Sequence, residues 1–170
     1  MKDRWRSRNA GLAIILVAAA IGGVAWTVAS AEPAHVLVVR LPDGTRLAAV
    51  PLNADGEFAL RYRNSLYGSV AEERFVAGPG RAIRLVELAA DELAVLEEYY
   101  AIDEAAHPGP SGDSRVWTAV SAQRVSLESL VVAATDRGER TLLVNGQPDL
   151  ELWHLVEDGA SSVVLTLEAP

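Results

Sequence analysis

Short apolar stretches separated by turn sequences follow one another through most of this chain. Pro42-Asp43-Gly44-Thr45, Asn53-Ala54-Asp55-Gly56 and Asn145-Gly146 are typical of tight turns. The stretches between them are rich in β-branched residues, and the turns recur about every 8–12 residues, a spacing typical of sandwiches and barrels. We therefore predict an all-β fold, an antiparallel β-sandwich-like domain.

About ten strands follow from this pattern. The predicted strands are Val36–Leu41, Arg46–Val50, Phe58–Arg63, Ala71–Ala77, Ala82–Leu88, Arg115–Val120, Ser129–Ala134, Arg140–Val144, Leu150–Val156 and Ser162–Glu168. In the fifth strand Ile83, Leu85 and Glu87 alternate with Arg84 and Val86, which predicts that the first three share one face.

Two segments do not read as plain strands. In residues 91–100, DELAVLEEYY, the residues Leu93, Leu96 and Tyr100 fit one helical face, while the β-rich flanks also allow a strand. Residues 103–114, DEAAHPGPSGDS, are predicted to be a loop because of their composition.

An uncharged run follows the basic stretch MKDRWRSR at the N-terminus and extends from Ala10 to Ala31. It is long enough to cross a bilayer, since about 20 residues suffice, and Trp26 suits an interfacial position. Ala29-Ser30-Ala31 also has the small residues that signal peptidase reads. We expect residues 1–31 to be a signal anchor, or a signal peptide cleaved near Ala31, with residues 32–170 as one domain outside the cytoplasm.

Charge and cysteine content exclude several functions. The chain has 15 Lys+Arg and 23 Asp+Glu, and 11 of the former and 22 of the latter lie in residues 32–170 because the first 31 residues hold four basic side chains and one acidic one. So acidic a domain repels nucleic acid. The absence of cysteine excludes disulfides, a thiol nucleophile and thiolate metal sites. No cofactor is expected.

One hairpin, residues 57–77, carries the most specific pattern. Alternation places Phe58, Leu60 and Tyr62 on one face of its first strand. We predict the register that pairs Leu60 with Phe75, Tyr62 with Glu73 and Arg63 with Glu72. In this register Glu73 points toward the apolar face.

An inward carboxylate needs hydrogen-bond donors. The candidates are Tyr62, Asn64 and Ser65, and three interpretations stay open. The four residues form a structural network that fixes the register, or a polar pocket for a ligand or a partner's main chain, or Glu73 acts as a general acid or base. No second catalytic group can be placed beside Glu73, so no catalytic residue is assigned.

The run Phe58-x-Leu60-Arg61-Tyr62-x-Asn64-Ser65, followed by Glu73-Arg74-Phe75, resembles the bacterial DUF1850 family. The resemblance implies a small exported or anchored domain that is often associated with TRAP transporters of the TAXI type. Asn64 stands where that family usually has His. The resemblance therefore implies a hydrogen-bonding role at this position rather than proton transfer or metal binding.

The histidines give weaker signals. Glu104 and His107, with Asp103 beside them, have side chains that bind divalent metals, but the loop offers few converging ligands, so no metal site is predicted. His35 and His154 are expected at solvated strand positions. The tryptophans Trp117 and Trp153 are expected in the core.

These observations favour a non-enzymatic extracytoplasmic accessory or binding module, anchored to the membrane through its N-terminal segment. The site would be formed by Tyr62, Asn64, Ser65 and Glu73, and its occupant would be a small molecule or a transporter or binding-protein subunit. The alternatives are a purely structural envelope domain and a small envelope hydrolase that uses Glu73.

Overall fold

A computed structural model describes residues 35–100, 102, 105–121, 126–156 and 161–170. The predicted anchor or signal peptide, residues 1–31 with cleavage near Ala31, lies outside the described residues. Within the described ranges no helix is long and apolar enough to cross a membrane.

The described residues form twelve strands, and every pairing between them is antiparallel. The strands are β1 (Val36–Arg40), β2 (Arg46–Pro51), β3 (Glu57–Arg63), β4 (Val70–Ala77), β5 (Ile83–Ala90), β6 (His107–Pro108), β7 (Trp117–Val120), β8 (Ser126–Leu127), β9 (Ser129–Ala133), β10 (Thr141–Leu143), β11 (Leu150–Glu151) and β12 (Ser162–Glu168). The predicted all-β, antiparallel, sandwich-like fold is confirmed.

The strands belong to two sheets. The smaller sheet has the order β2-β1-β12-β9, and the larger has the order β11-β10-β3-β4-β5-β7-β6, with β8 beside β5. Alternating residues of β1 and β12, such as Leu37 and Leu165, are fully buried and pack with Leu60 of β3. Phe58 and Phe75 stack in the same core with ring centroids 5.2 Å apart. Burial of these alternating side chains is the main stabilising contribution.

A second, smaller core lies at the β4–β5–β7 end of the larger sheet. Leu88 and Ala119 are buried there beneath Val95 and Leu96. The segment that covers them is a helical turn, Val95–Tyr99, with π-type hydrogen bonding, since the Tyr100 N–H donates to the Val95 carbonyl. Of the two alternatives for residues 91–100, the helix is therefore the one observed.

A bulge in β5 changes which face its residues occupy. Arg74 of β4 pairs with Glu87, but the next residue, Phe75, pairs with Leu85, so Val86 has no partner on β4. The extra residue reverses the alternation. The prediction that Glu87 shares a face with Leu85 is wrong, because Glu87 lies on the outer face beside Arg74.

The predicted strand Leu150–Val156 is too long. Only Leu150–Glu151 pair with β10, and Leu152–His154 form a 3₁₀ turn. Leu152 is fully buried, and its N–H donates to the Arg140 carbonyl, so the chain turns where this side chain enters the core. The predicted loop 103–114 contains the two-residue strand β6, which pairs with β7.

The register of the β3–β4 hairpin also differs from the prediction. Glu73 pairs with Leu60 rather than with Tyr62, and Phe75 pairs with Phe58 rather than with Leu60. Glu72 pairs with Arg61 rather than with Arg63. The shift of two residues preserves alternation, so each side chain keeps its predicted face. Sequence alternation cannot distinguish registers that differ by two.

Candidate functional site

Tyr62, near the end of β3, begins a chain of hydrogen bonds at the second core. Its side chain is buried, and its hydroxyl is 2.5 Å from the Tyr100 hydroxyl. Tyr100 Oη in turn donates to Glu73 Oε1 at 2.7 Å. Because the single hydroxyl proton of Tyr100 goes to Glu73, the Tyr62 hydroxyl must be the donor to Tyr100.

Burial governs the acid–base behaviour of both tyrosines. It raises the pKa of Tyr62 to about 12, and the nearby charge of Glu73 adds to the effect. Burial also raises the pKa of Tyr100, followed by the charges of Glu73 and Tyr62. Both hydroxyls are therefore protonated at neutral pH and serve as hydrogen-bond donors.

Glu73 faces the inner side of its sheet between Leu60 of β3 and Leu88 of β5. The inward orientation expected from alternation is thus observed, but the hydrogen-bond donor is Tyr100. Tyr62 lies one hydrogen bond further away. Tyr100 was absent from the predicted site, although its position on the predicted helical face of residues 91–100 was a signal that could have found it.

Asn64 closes the connection between β3 and β4. Its Oδ1 accepts the main-chain N–H groups of Leu66 at 2.9 Å and Tyr67 at 3.2 Å. Its own N–H donates to the Ser69 carbonyl. Asn64 is 3 % exposed, and its carbonyl oxygen serves the turn rather than Glu73. These bonds give the tight connection that sets the observed register.

A cavity of about 150 Å³ lies beside the end of β3. We call it the Tyr62 pocket. Its lining residues are Tyr62, Arg63, Asn64, Ser65, Tyr99, Ala133, Thr135, Arg137, Gly138 and Arg140. Three of the four predicted site residues thus line one cavity, in which Ser65 is exposed, whereas Glu73 stands behind Tyr62 and Tyr100.

The turn at residues 135–139 forms the opposite wall of the pocket. The Thr135 carbonyl accepts the N–H groups of Gly138 and Glu139, and the Gly138 carbonyl accepts the N–H of Arg63 at 2.8 Å. This last bond joins the turn to β3. Sequence reasoning missed this wall, because the contact between Arg63 and Gly138 spans more than 70 residues and no local pattern indicates it.

A second polar cluster, which the sequence did not reveal, lies on the outer face of the larger sheet. Arg74 binds Asp113 with both terminal nitrogens, at 2.6 and 2.8 Å, and Glu87 at 2.7 Å. Glu72, 3 % exposed, contacts Arg74 and accepts from Ser114. The only local signal was that alternation places Glu72 and Arg74 on one face.

Loop residues cover this cluster. Arg74 holds the pKa of Asp113 at about 2, and the hydrogen bond to Asp113 is the largest cause of the raised pKa of Arg74. Arg115 extends the cluster to Asp91 at 2.9 Å. The part of loop 103–114 that reaches Glu72 therefore packs on the face opposite the predicted pocket, and the arrangement is that of a structural ionic network.

The three histidines have different surroundings. His107 Nε2 is 3.3 Å from Thr118 Oγ1, and exposed His154 pairs with Glu151. His35 is half-buried, not solvated as expected, and its Nδ1 has no hydrogen-bond partner. Asp103 and Glu104 lie outside the described residues. Among the residues that the structure does describe, no group of three or more His, Cys, Asp or Glu could hold a metal ion.

The tryptophans are only half-buried. Trp117 packs against the second core, and the Trp153 ring lies 3.5 Å from that of His154. Neither lines the Tyr62 pocket. The predicted core position is therefore observed for Trp117 only as a contact with the second core, and neither tryptophan is fully buried.

Comparison of the chain with models of known protein families, with curated proteins and with solved structures gives no match.

Proposed function

We propose that this chain is a non-enzymatic binding module that holds a small solute, or a segment of a partner protein, in the Tyr62 pocket. The observation that supports the proposal is the pocket itself, which joins Tyr62, Asn64 and Ser65 with side chains from the 135–140 segment. Concave sites with a few convergent polar groups are typical of ligand binding. Glu73 is not among the lining residues, which gives no support to a hydrolase mechanism at this pocket.

The setting of the module is also a proposal. The charge-free segment 10–31 and the basic residues before it support a membrane-anchored domain outside the cytoplasm. The resemblance of residues 58–75 to the DUF1850 family supports a role beside a TRAP-type transporter. A transporter subunit or its solute-binding protein is then the expected partner.

A ligand screen on the full-length chain in detergent tests this function. Unfolding temperature would be measured against sugars, amines, carboxylates and phosphate, with the wild type and two variants. Ser65→Tyr narrows the pocket at an exposed lining residue, and Leu66→Tyr introduces the same side chain at the neighbouring position, which is 72 % exposed and outside the pocket. We expect one solute class to raise the unfolding temperature of the wild type and Leu66→Tyr but not of Ser65→Tyr.

The partner form of the proposal needs a second experiment. Crosslinking and pull-down of the tagged full-length chain from membranes of its own host would recover a transporter subunit, which Ser65→Tyr would lose and Leu66→Tyr would retain. A screen without any stabilising solute, together with recovery that is equal in both variants, would contradict a binding function at this pocket.

A structural envelope domain remains the second candidate, and a specific observation favours it. The chain Tyr62–Tyr100–Glu73 joins groups of this protein only, and Asn64 Oδ1 is fully used by its own turn. If stability is the sole role of these residues, Glu73→Gln will lower the unfolding temperature while every ligand and partner assay stays negative.

A further inference from the structure

Three arginines line the Tyr62 pocket, namely Arg63, Arg137 and Arg140, and none of its lining residues in the described chain is acidic. This composition runs against that of the domain, because residues 32–170 contain twice as many acidic as basic side chains. In so acidic a domain, this is a concave site whose charged lining side chains are all positive. Clefts lined by positive charge concentrate anions.

The positive charge of these arginines is largely uncompensated. Arg40, Arg61 and Arg74 each have a carboxylate within 2.8 Å. In the described part of the chain, Arg137 and Arg140 form no ion pair. Arg63 meets Glu139 only at 3.4 Å, with both side chains about half exposed, a geometry that contributes little energy.

Arg140 is positioned by an aromatic ring. Its Cζ lies 4.7 Å from the centroid of the Tyr62 ring, a cation–π contact that orients the guanidinium without neutralising it. Tyr62 is itself held by its hydroxyl bond to Tyr100. The donors of Arg140 thus project from a fixed platform, and a site organised in advance loses less entropy on binding.

The geometry points to an oxyanion ligand: we infer that Arg63, Arg137 and Arg140 bind the carboxylate or phosphate group of a small molecule in the Tyr62 pocket. Guanidinium groups bind both oxyanions through paired N–H···O bonds. The cavity of about 150 Å³ has room for a small organic acid or inorganic phosphate, being roughly five times the volume of one water in the liquid. This inference rests on the proposed binding function and names its ligand class.

Titration of the full-length chain in detergent with acetate, succinate and inorganic phosphate, and with neutral acetamide, tests the inference. We expect an oxyanion to bind and acetamide not to bind, and the affinity to fall as salt is added. The succinate and phosphate arms identify which oxyanion the site takes. Arg137→Gln, an exposed turn position, should weaken binding about tenfold, the loss of roughly one charge-assisted hydrogen bond.

A variant that strengthens binding gives a test that misfolding cannot imitate. Glu139→Gln removes the carboxylate beside Arg63 and should tighten oxyanion binding about threefold, since it removes one nearby repulsive charge. Asp149→Asn is the matched control, because it removes the same charge from an exposed pair with Arg61, and Asp149 does not line the pocket. Its affinity should equal that of the wild type.

The outcomes separate this inference from the function on which it rests. If Ser65→Tyr abolishes binding of a sugar or an amine and no oxyanion binds, the proposed binding function is supported and the oxyanion inference is contradicted. An equal gain in oxyanion affinity in Glu139→Gln and Asp149→Asn would show a general charge effect and would contradict oxyanion binding in the Tyr62 pocket. A folded protein that binds no probe of any class would overturn both.

Discussion

Several of the polar side chains that the described residues bury have specific electrostatic partners. Tyr62 and Tyr100 share a hydrogen-bonded chain with Glu73, and Asp113 is paired with Arg74. Burial of polar groups is costly unless such partners exist. The pH dependence of stability should therefore report Tyr62 and Asp113.

From Tyr62 we expect a loss of folding stability at high pH. Its pKa is raised from 10.0 to about 12 in the folded chain, so its contribution is complete below pH 10 and is lost as the pH rises through about 12. Urea unfolding at pH 8 and pH values between those two limits would measure it. In Tyr62→Phe this alkaline loss should be smaller, and the free energy of unfolding at neutral pH should fall by about 1 kcal/mol. Titration of Tyr62 near pH 10 would contradict the buried chain.

From Asp113 we expect a loss of folding stability at low pH. Its pKa is lowered from 3.8 to about 2, so its contribution is present above the unfolded value and is lost as the pH falls through about 2. Asp113→Asn should lower the free energy of unfolding at neutral pH by about 2 kcal/mol, because Arg74 loses two charge-assisted bonds. Asp55→Asn, at an exposed turn, serves as the control in the same denaturant titration, with a change within about 0.5 kcal/mol.

At the scale of elements, the connections decide how strands pair. The connection from β3 to β4 is closed by Asn64, and the bulge at Val86 divides β5 into one half that faces the main core and one that faces the smaller core. The strand sequences alone allow other registers of the same parity. The turns should thus contribute to stability out of proportion to their apolar area.

Asn64→Ala tests the first of these connections. The variant leaves the N–H groups of Leu66 and Tyr67 without their acceptor, and it should lower the free energy of unfolding by about 1–2 kcal/mol. Ser65→Ala, one residue further along and exposed, should change it by less than about 0.5 kcal/mol. Equal stability of the two variants in urea would contradict the role of the Asn64 hydrogen bonds in setting the β3–β4 register.

Gly56 tests the turn between β2 and β3. Its φ is +69°, and a Cβ there would lie 2.9 Å from the Cβ of Ala77, whereas Gly44 has φ of +93° and no atom near its Cβ position. Gly44→Ala should cost about 1 kcal/mol from backbone strain alone. Gly56→Ala should cost about 1–3 kcal/mol more because of the contact with β4. Thermal unfolding of the pair measures the difference, and equal losses would contradict the close approach.

At the scale of the whole molecule, a cysteine-free chain permits a clean test of topology. Leu66→Cys, 72 % exposed, places one thiol on the domain, and Ser7→Cys places one in the basic N-terminal segment. We expect a membrane-impermeant maleimide to label the first in intact cells of the host and the second only after lysis. The reverse labelling would show that the domain faces the cytoplasm.

The sequence determined the fold class, because alternation and turn chemistry are local: most strands begin and end within a few residues of their predicted bounds, and Glu73 faces inward as expected. It also determined that Tyr62, Asn64 and Ser65 lie near one another, since they share one strand end. The tertiary structure alone decided the partners. Tyr100 reaches Glu73 from a helical segment, and Asp113 reaches Arg74 from a loop on the opposite face.

The same division explains the candidate site. Arg137 and Arg140 line the pocket together with Tyr62, although they lie more than 70 residues away in the sequence. The main-chain bond between Arg63 and Gly138 joins their segment to β3. Such contacts depend on which strands pair across the sheet, here β3 with β10, and that choice leaves no periodic trace in the sequence. Local spacing predicts which face a side chain occupies where a strand is regular, whereas long-range packing decides which residues that side chain contacts.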